Sequence, residues 1–156
     1  MSAALRWIAA LLLALAIAAP AQAQQTGLPL WLIGTWCGEL GGAQETKQAP
    51  MLCDQWVAGD DGTLQNRIAS TDDSGLESTG SIAVEDGKLV LRGGRDGKIS
   101  VNFREISRGP SEVVFENLME GPLDRLVLRR EGDDLVEEIW LRDRAAPQRT
   151  VYHLKK

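Results

Sequence analysis

Residues 82–103 read Ile-Ala-Val-Glu-Asp-Gly-Lys-Leu-Val-Leu-Arg-Gly-Gly-Arg-Asp-Gly-Lys-Ile-Ser-Val-Asn-Phe. Apolar residues recur at every second position, as Ile82 and Val84, then Leu89 and Leu91, then Ile99, Val101 and Phe103. That period belongs to a strand with one face buried, not to a helix. Glu85-Asp86-Gly87 and Arg95-Asp96-Gly97 interrupt the runs, and Asp-Gly supplies the positive φ that a tight hairpin requires.

The same pattern extends in both directions. It predicts strands at 34–41, 51–57, 63–70, 75–85, 88–93, 98–106, 112–117, 123–130, 135–142 and 149–154. Asp60-Asp61-Gly62, Arg108-Gly109-Pro110 and Gly132-Asp133-Asp134 supply further turns. No window supports a long amphipathic helix. Consecutive short strands joined by tight turns are neighbours in a meander, and rolling such a sheet shut removes its exposed edges. The expected fold is therefore all-β, an antiparallel up-and-down barrel of about ten strands over residues 34–156; a two-layer sandwich is the competing arrangement.

Residues 1–23 stand outside this pattern. Arg6 is followed by an apolar run over 7–19 and by Ala21-Gln22-Ala23, a small-x-small cleavage site, so the segment reads as a cleavable signal peptide. An uncleaved anchor is the alternative, but the run falls short of the ~20 residues a spanning helix needs. Removing 23 of the 156 residues leaves 133, enough for one domain with one core. Residues 24–33, with Gly27 and Pro29, read as a leader able to form a short helical plug at one end of the barrel. The expected location is the periplasm or the exterior, with no integral membrane span after cleavage.

The chain has 17 Lys and Arg against 22 Asp and Glu, a net charge of −5 that becomes −6 once Arg6 is removed. The basic residues are interspersed with acids, which argues against a nucleic-acid or anionic-membrane surface. Cys37 and Cys53 are the only cysteines. If Trp36 and Trp56 point inward, alternation turns both cysteines outward on neighbouring strands, where export would let them pair as a disulfide. Two free thiols are the alternative; a zinc site lacks ligands, since the only histidine is His153.

Candidate chemistry is sparse. Asp60-Asp61, Asp72-Asp73 and Asp133-Asp134 fall in turns without the spacing of a calcium loop, and Gly41-Gly42 and Gly93-Gly94 read as turn glycines. Glu137-Glu138 lies within a strand, so one of the two should face inward; Glu137 shares its face with Leu135, Ile139 and Leu141, the more core-like set. A wet strand end would instead leave both exposed. A hydrolase triad is hard to build around His153, and Cys37 as nucleophile would need a neighbouring base. Trp31, Trp36, Trp56, Trp140, Phe103, Phe115 and Tyr152 suffice to close the base of a small barrel and still line part of a cavity.

Gly34-Thr35-Trp36 resembles the G-x-W signature at the first strand of lipocalin-like, calycin-type barrels. More of the chain is similar to a bacterial lipocalin-like family of unknown function that reads L-x-G-x-W, E-x-W and F-E-N-P-x-H-D-F-P-x-R. Leu32, Gly34 and Trp36 match the first motif, Asp54 and Trp56 fall at the second, and Phe115-Glu116-Asn117 with Arg125 fall at the third. Leu118-Met119-Glu120-Gly121-Pro122-Leu123 stands where that family has its His, Asp and Phe, so no role of those side chains transfers. The resemblance implies the barrel and, by analogy alone, a pocket for a small apolar molecule. Gly34-Thr35-Trp36-Cys37-Gly38-Glu39 also resembles the first strand of nitrobindin-like haem barrels, which would make His153 the iron ligand.

The sequence thus reads as an exported, monomeric, non-catalytic barrel without metal or cofactor, holding a small hydrophobic ligand. Trp36 and Trp56 would close or line the base, and Asn117 and Arg125 would be polar groups near the cavity or its rim, although alternation turns Arg125 outward if Leu126 and Leu128 face the core. The alternatives are haem binding through His153, a structural or interaction protein with a filled core, and an enzyme pairing an inward Glu137 with Arg125.

Overall fold

The computed structural model describes residues 27–39, 51–72 and 75–156. The expected signal peptide, residues 40 and 41 of the first expected strand, Gly41-Gly42 and Asp73 lie outside them. A 3-10 turn, Leu30–Leu32, falls within the expected leader. Ten strands follow: β1 (Gly34–Glu39), β2 (Met51–Ala58), β3 (Leu64–Ser70), β4 (Glu77–Glu85), β5 (Lys88–Arg95), β6 (Lys98–Arg108), β7 (Glu112–Asn117), β8 (Leu123–Glu131), β9 (Asp134–Leu141) and β10 (Gln148–Leu154).

Every strand pairs antiparallel with its neighbours in sequence, and β1 pairs with β10, so the sheet is a closed up-and-down barrel rather than a sandwich. Asp86 and Gly87 have φ of 51° and 76°, Asp96 and Gly97 have 50° and 72°, and these pairs turn the β4–β5 and β5–β6 hairpins in two residues. Both central residues of such a turn need positive φ, which Asp tolerates and Gly adopts freely. Among the described residues, no helix is long and apolar enough to cross a membrane.

Inward residues fill one half of the barrel. At the end where the 3-10 turn lies, Leu32, Trp36, Leu64, Ile82, Leu89, Phe115 and Leu135 are wholly or almost wholly buried in one cluster. The Trp36 indole donates to the Leu32 carbonyl at 2.7 Å, which satisfies its buried N–H and ties the 3-10 turn to β1. The Arg130 guanidinium lies 5.4 Å from the centre of the Trp36 ring and donates to the carbonyls of Trp31 and Gly132. That cation–π contact closes the base with charge held by backbone oxygens.

Cys37 and Cys53 face each other across β1 and β2 and form a disulfide, with Cα atoms 4.1 Å apart. Directly opposed residues of adjacent antiparallel strands approach this closely only at positions not bridged by backbone hydrogen bonds. The bond thus joins the two strands on the outer face, 16 residues apart in sequence.

Candidate functional site

The other half of the barrel is not filled. A cavity of about 220 Å³ extends from Asp54 and Trp56 at mid-height toward the end that carries the β5–β6 and β7–β8 connections. Leu91, Phe103, Leu126, Leu128 and Ile139 give it apolar walls. Asp54, Asn66 and Glu137 are polar groups on the same lining, which among the described residues includes no Lys, Arg or His.

Each polar residue is placed by register. Asp54 stands opposite Trp36 on β1 and Ile68 on β3, so alternation sends it inward with Trp56. The Trp56 indole donates to Asp54 Oδ2 at 2.7 Å, and the Asn66 amide donates to Oδ1 at 3.0 Å. Asn66 has room to do so because its β4 partner is Gly80, where a Cβ would come within 2.6 Å of the Asn66 side-chain oxygen. Gly80 in turn pairs with Gly93, and a sheet bulge follows at Gly93/Gly94. Glycines therefore thin this wall and widen the lumen beside Asn66.

Glu137 enters from β9, flanked on its own face by Leu135 and Ile139 and opposite Leu128 and Thr150. Tyr152 donates its hydroxyl to Glu137 Oε1 at 3.3 Å. Glu137 lies deep inside the barrel yet keeps accessible surface, because its carboxylate borders the cavity. Burial pushes its pKa up to about 7, the nearby Asp54 charge adds to the rise, and the Tyr152 hydroxyl opposes it. Burial likewise raises Asp54 to about 6 against the opposing hydrogen bonds from Asn66 and Trp56. The Tyr152 hydroxyl is pushed up by burial and by the two carboxylates, so it remains a proton donor.

The expected site residues occupy different places. Trp56 borders the cavity, whereas Trp36 belongs to the closed base. Asn117 braces the β7–β8 connection, donating to the Leu123 carbonyl at 3.0 Å and accepting from the Met119 amide at 3.1 Å. Arg125 is exposed opposite Trp140, on the wall face away from Glu137, so the two do not meet. His153 sits opposite Cys37 on the outer face, 72% exposed, with Nδ1 2.7 Å from Asp134 Oδ1. It offers no axial ligand to a haem in the lumen, so these residues do not fit that cofactor. The remaining acidic pairs serve turns: Asp61 accepts from Thr63, and Asp133 pairs with Lys156 at 3.6 Å.

Two further features are structural. Buried Glu105 accepts the Leu89 amide at 2.8 Å beside the β6–β7 bulge, where its carboxylate substitutes for a backbone partner. A broader hollow of about 610 Å³ lies on the outer wall over β2–β5, where Arg67 and Arg92 already pair with Glu77 and Glu85. The interior cavity differs in being enclosed by apolar walls around buried polar groups, the usual form of a small-molecule site. No family model matches the chain, and no curated protein does.

Asn66 is the member of this site that the sequence reading did not name; Asp54 entered it only as a motif position, and Tyr152 only among the aromatics able to line a cavity. Parity alone could have exposed Asp54, because an inward Trp56 requires residue 54 to face inward as well.

Proposed function

We propose that the protein is an exported lipocalin-like carrier that holds one small, largely apolar molecule inside the barrel and performs no reaction on it. The supporting observation is the unfilled half of the lumen: a barrel packed throughout by side chains would suit a structural or interaction role, and this one is packed only at its base. A cavity of about 220 Å³ lies below the ~300 Å³ at which drug-sized pockets begin. That volume favours single-ring or short-chain compounds over long-chain fatty acids and retinoids. The Cys37–Cys53 disulfide supports an oxidising location, the periplasm or the exterior.

The test is calorimetric titration of the disulfide-bonded protein with benzyl alcohol, beside Ser78→Phe, which projects a ring into the cavity from β4. Saturable one-to-one binding that Ser78→Phe abolishes supports the carrier. Absence of saturable binding by any single-ring compound, charged or neutral, overturns it.

A further inference from the structure

We infer that the occupant of the cavity is a small organic cation, an ammonium group carried on a compact apolar body, bound between Asp54 and Glu137. The inference rests on the carrier reading and adds the chemical class of the ligand.

Three features of the cavity carry it. Two carboxylates border it, Asp54 on β2 and Glu137 on β9, close enough for the Asp54 charge to be felt at Glu137. Among the described residues, the lining supplies no positive side chain to answer them. At the base, Arg130 lies over the Trp36 ring and is engaged by the carbonyls of Trp31 and Gly132. The polar contacts made to the acids come from neutral groups: Trp56 and Asn66 to Asp54, Tyr152 to Glu137. A buried carboxylate pair without a counter-charge is costly, and an entering cation removes that cost.

The rest of the lining selects an organic cation over a metal ion. Calcium takes roughly six to eight oxygen ligands, and among the described residues no group of three His, Cys, Asp or Glu is gathered to hold a metal. Leu91, Phe103, Leu126, Leu128 and Ile139 instead offer a hydrocarbon surface beside the acids, and Phe103 and Trp56 present aromatic rings of the kind that attract an ammonium group. An ammonium donates up to three hydrogen bonds, which two carboxylates and the Asn66 side-chain oxygen can accept.

The experiment compares benzylammonium, benzyl alcohol and benzoate, three probes of nearly equal shape and charges of +1, 0 and −1, by calorimetry at pH 8 and pH 5. At pH 8 the amine should bind at least ten-fold more tightly than the alcohol, and benzoate should not bind. At pH 5 the carboxyls take up protons while the amine keeps its charge, so its advantage should fall several-fold. Glu137→Gln should remove most of the amine's advantage over the alcohol. Because Glu137→Gln preserves the shape and the acceptor for Tyr152, it should fold; the pH comparison on the unaltered protein tests the same point without any substitution. Equal affinity for amine and alcohol, or tighter binding of the alcohol, overturns the cation assignment and leaves the carrier standing. No binding of any probe removes the carrier and the cation together.

Discussion

Raising the pH from 5 to 8 should destabilise this barrel, opposite to the usual behaviour of a protein rich in paired carboxylates. In the unfolded chain Asp54 and Glu137 titrate near their ordinary values of 3.8 and 4.5, whereas in the barrel they titrate near 6 and 7. Between these limits the folded state binds more protons than the unfolded state, so stability falls as pH rises. The loss begins near pH 4 and is complete just above pH 7. From pH 5 to 8 it amounts to about 4 kcal/mol, with about 2 to 3 from Glu137 and the remainder from Asp54, at roughly 1.4 kcal/mol per pKa unit.

That loss is a large share of the roughly 5–15 kcal/mol by which domains are stable, and for a chain of this size it should lower Tm on the order of 10 °C. The window avoids opposing contributions: Asp61, Glu77 and Glu85 are held below their ordinary values by hydrogen bonds from Thr63, Arg67 and Arg92, and titrate at lower pH. Among the described residues, no Lys, Arg or His lines the cavity beside the two acids, Tyr152 stays protonated throughout, and Arg130 is held over the Trp36 ring. The assay is urea unfolding followed by near-UV circular dichroism at half-unit steps of pH, for the unaltered protein and for Glu137→Gln. Glu137→Gln should reduce the loss to about 1 kcal/mol, with its gain over the parent confined to pH above 5. A parent stability that is flat or rising over this range, or a Glu137→Gln profile parallel to the parent's, would refute the burial argument.

Other outcomes follow from the same contacts. The double substitution Cys37→Ser, Cys53→Ser opens a cross-link spanning 16 residues and should cost about 3 kcal/mol; reduction by dithiothreitol should lower the urea midpoint of the parent by the same energy and leave the double variant unmoved. Trp36→Phe removes the indole donor to Leu32 and weakens the contact with Arg130, for an expected loss of about 1–2 kcal/mol in urea. Gly94→Ala places a Cβ 1.8 Å from the Lys98 carbonyl oxygen at the β5–β6 bulge and should cost at least about 2 kcal/mol, whereas Gly109→Ala, with nothing within 4 Å of the new carbon, should stay within about 0.5 kcal/mol of the parent. Equal stabilities for the two alanine variants in urea would show that the bulge has room the backbone geometry denies.

Alternation and turn chemistry carried most of the fold. The ends of all ten strands fall within two residues of their expected positions wherever the chain is described, because Asp86-Gly87 and Asp96-Gly97 pin the hairpins and each strand has one apolar face. The cysteine pairing followed from the same parity, since an inward Trp36 and Trp56 leave Cys37 and Cys53 outward on adjacent strands. The site was less legible for a geometric reason. Parity says which face a residue occupies but not which inward residues meet across the lumen. Asp54 and Glu137 lie on β2 and β9, separated around the wall by β1 and β10, and their approach depends on how the closed sheet is staggered. Asn117 and Arg125, named from a motif, lie by the same β7–β8 connection, where Asn117 braces the backbone and Arg125 faces outward, as alternation allowed. The apolar half of the barrel could be read from the chain because, Glu105 aside, its buried residues are nearly all apolar. The polar half required the register, since its two acids acquire a shared role only when β1 and β10 close the cylinder between them.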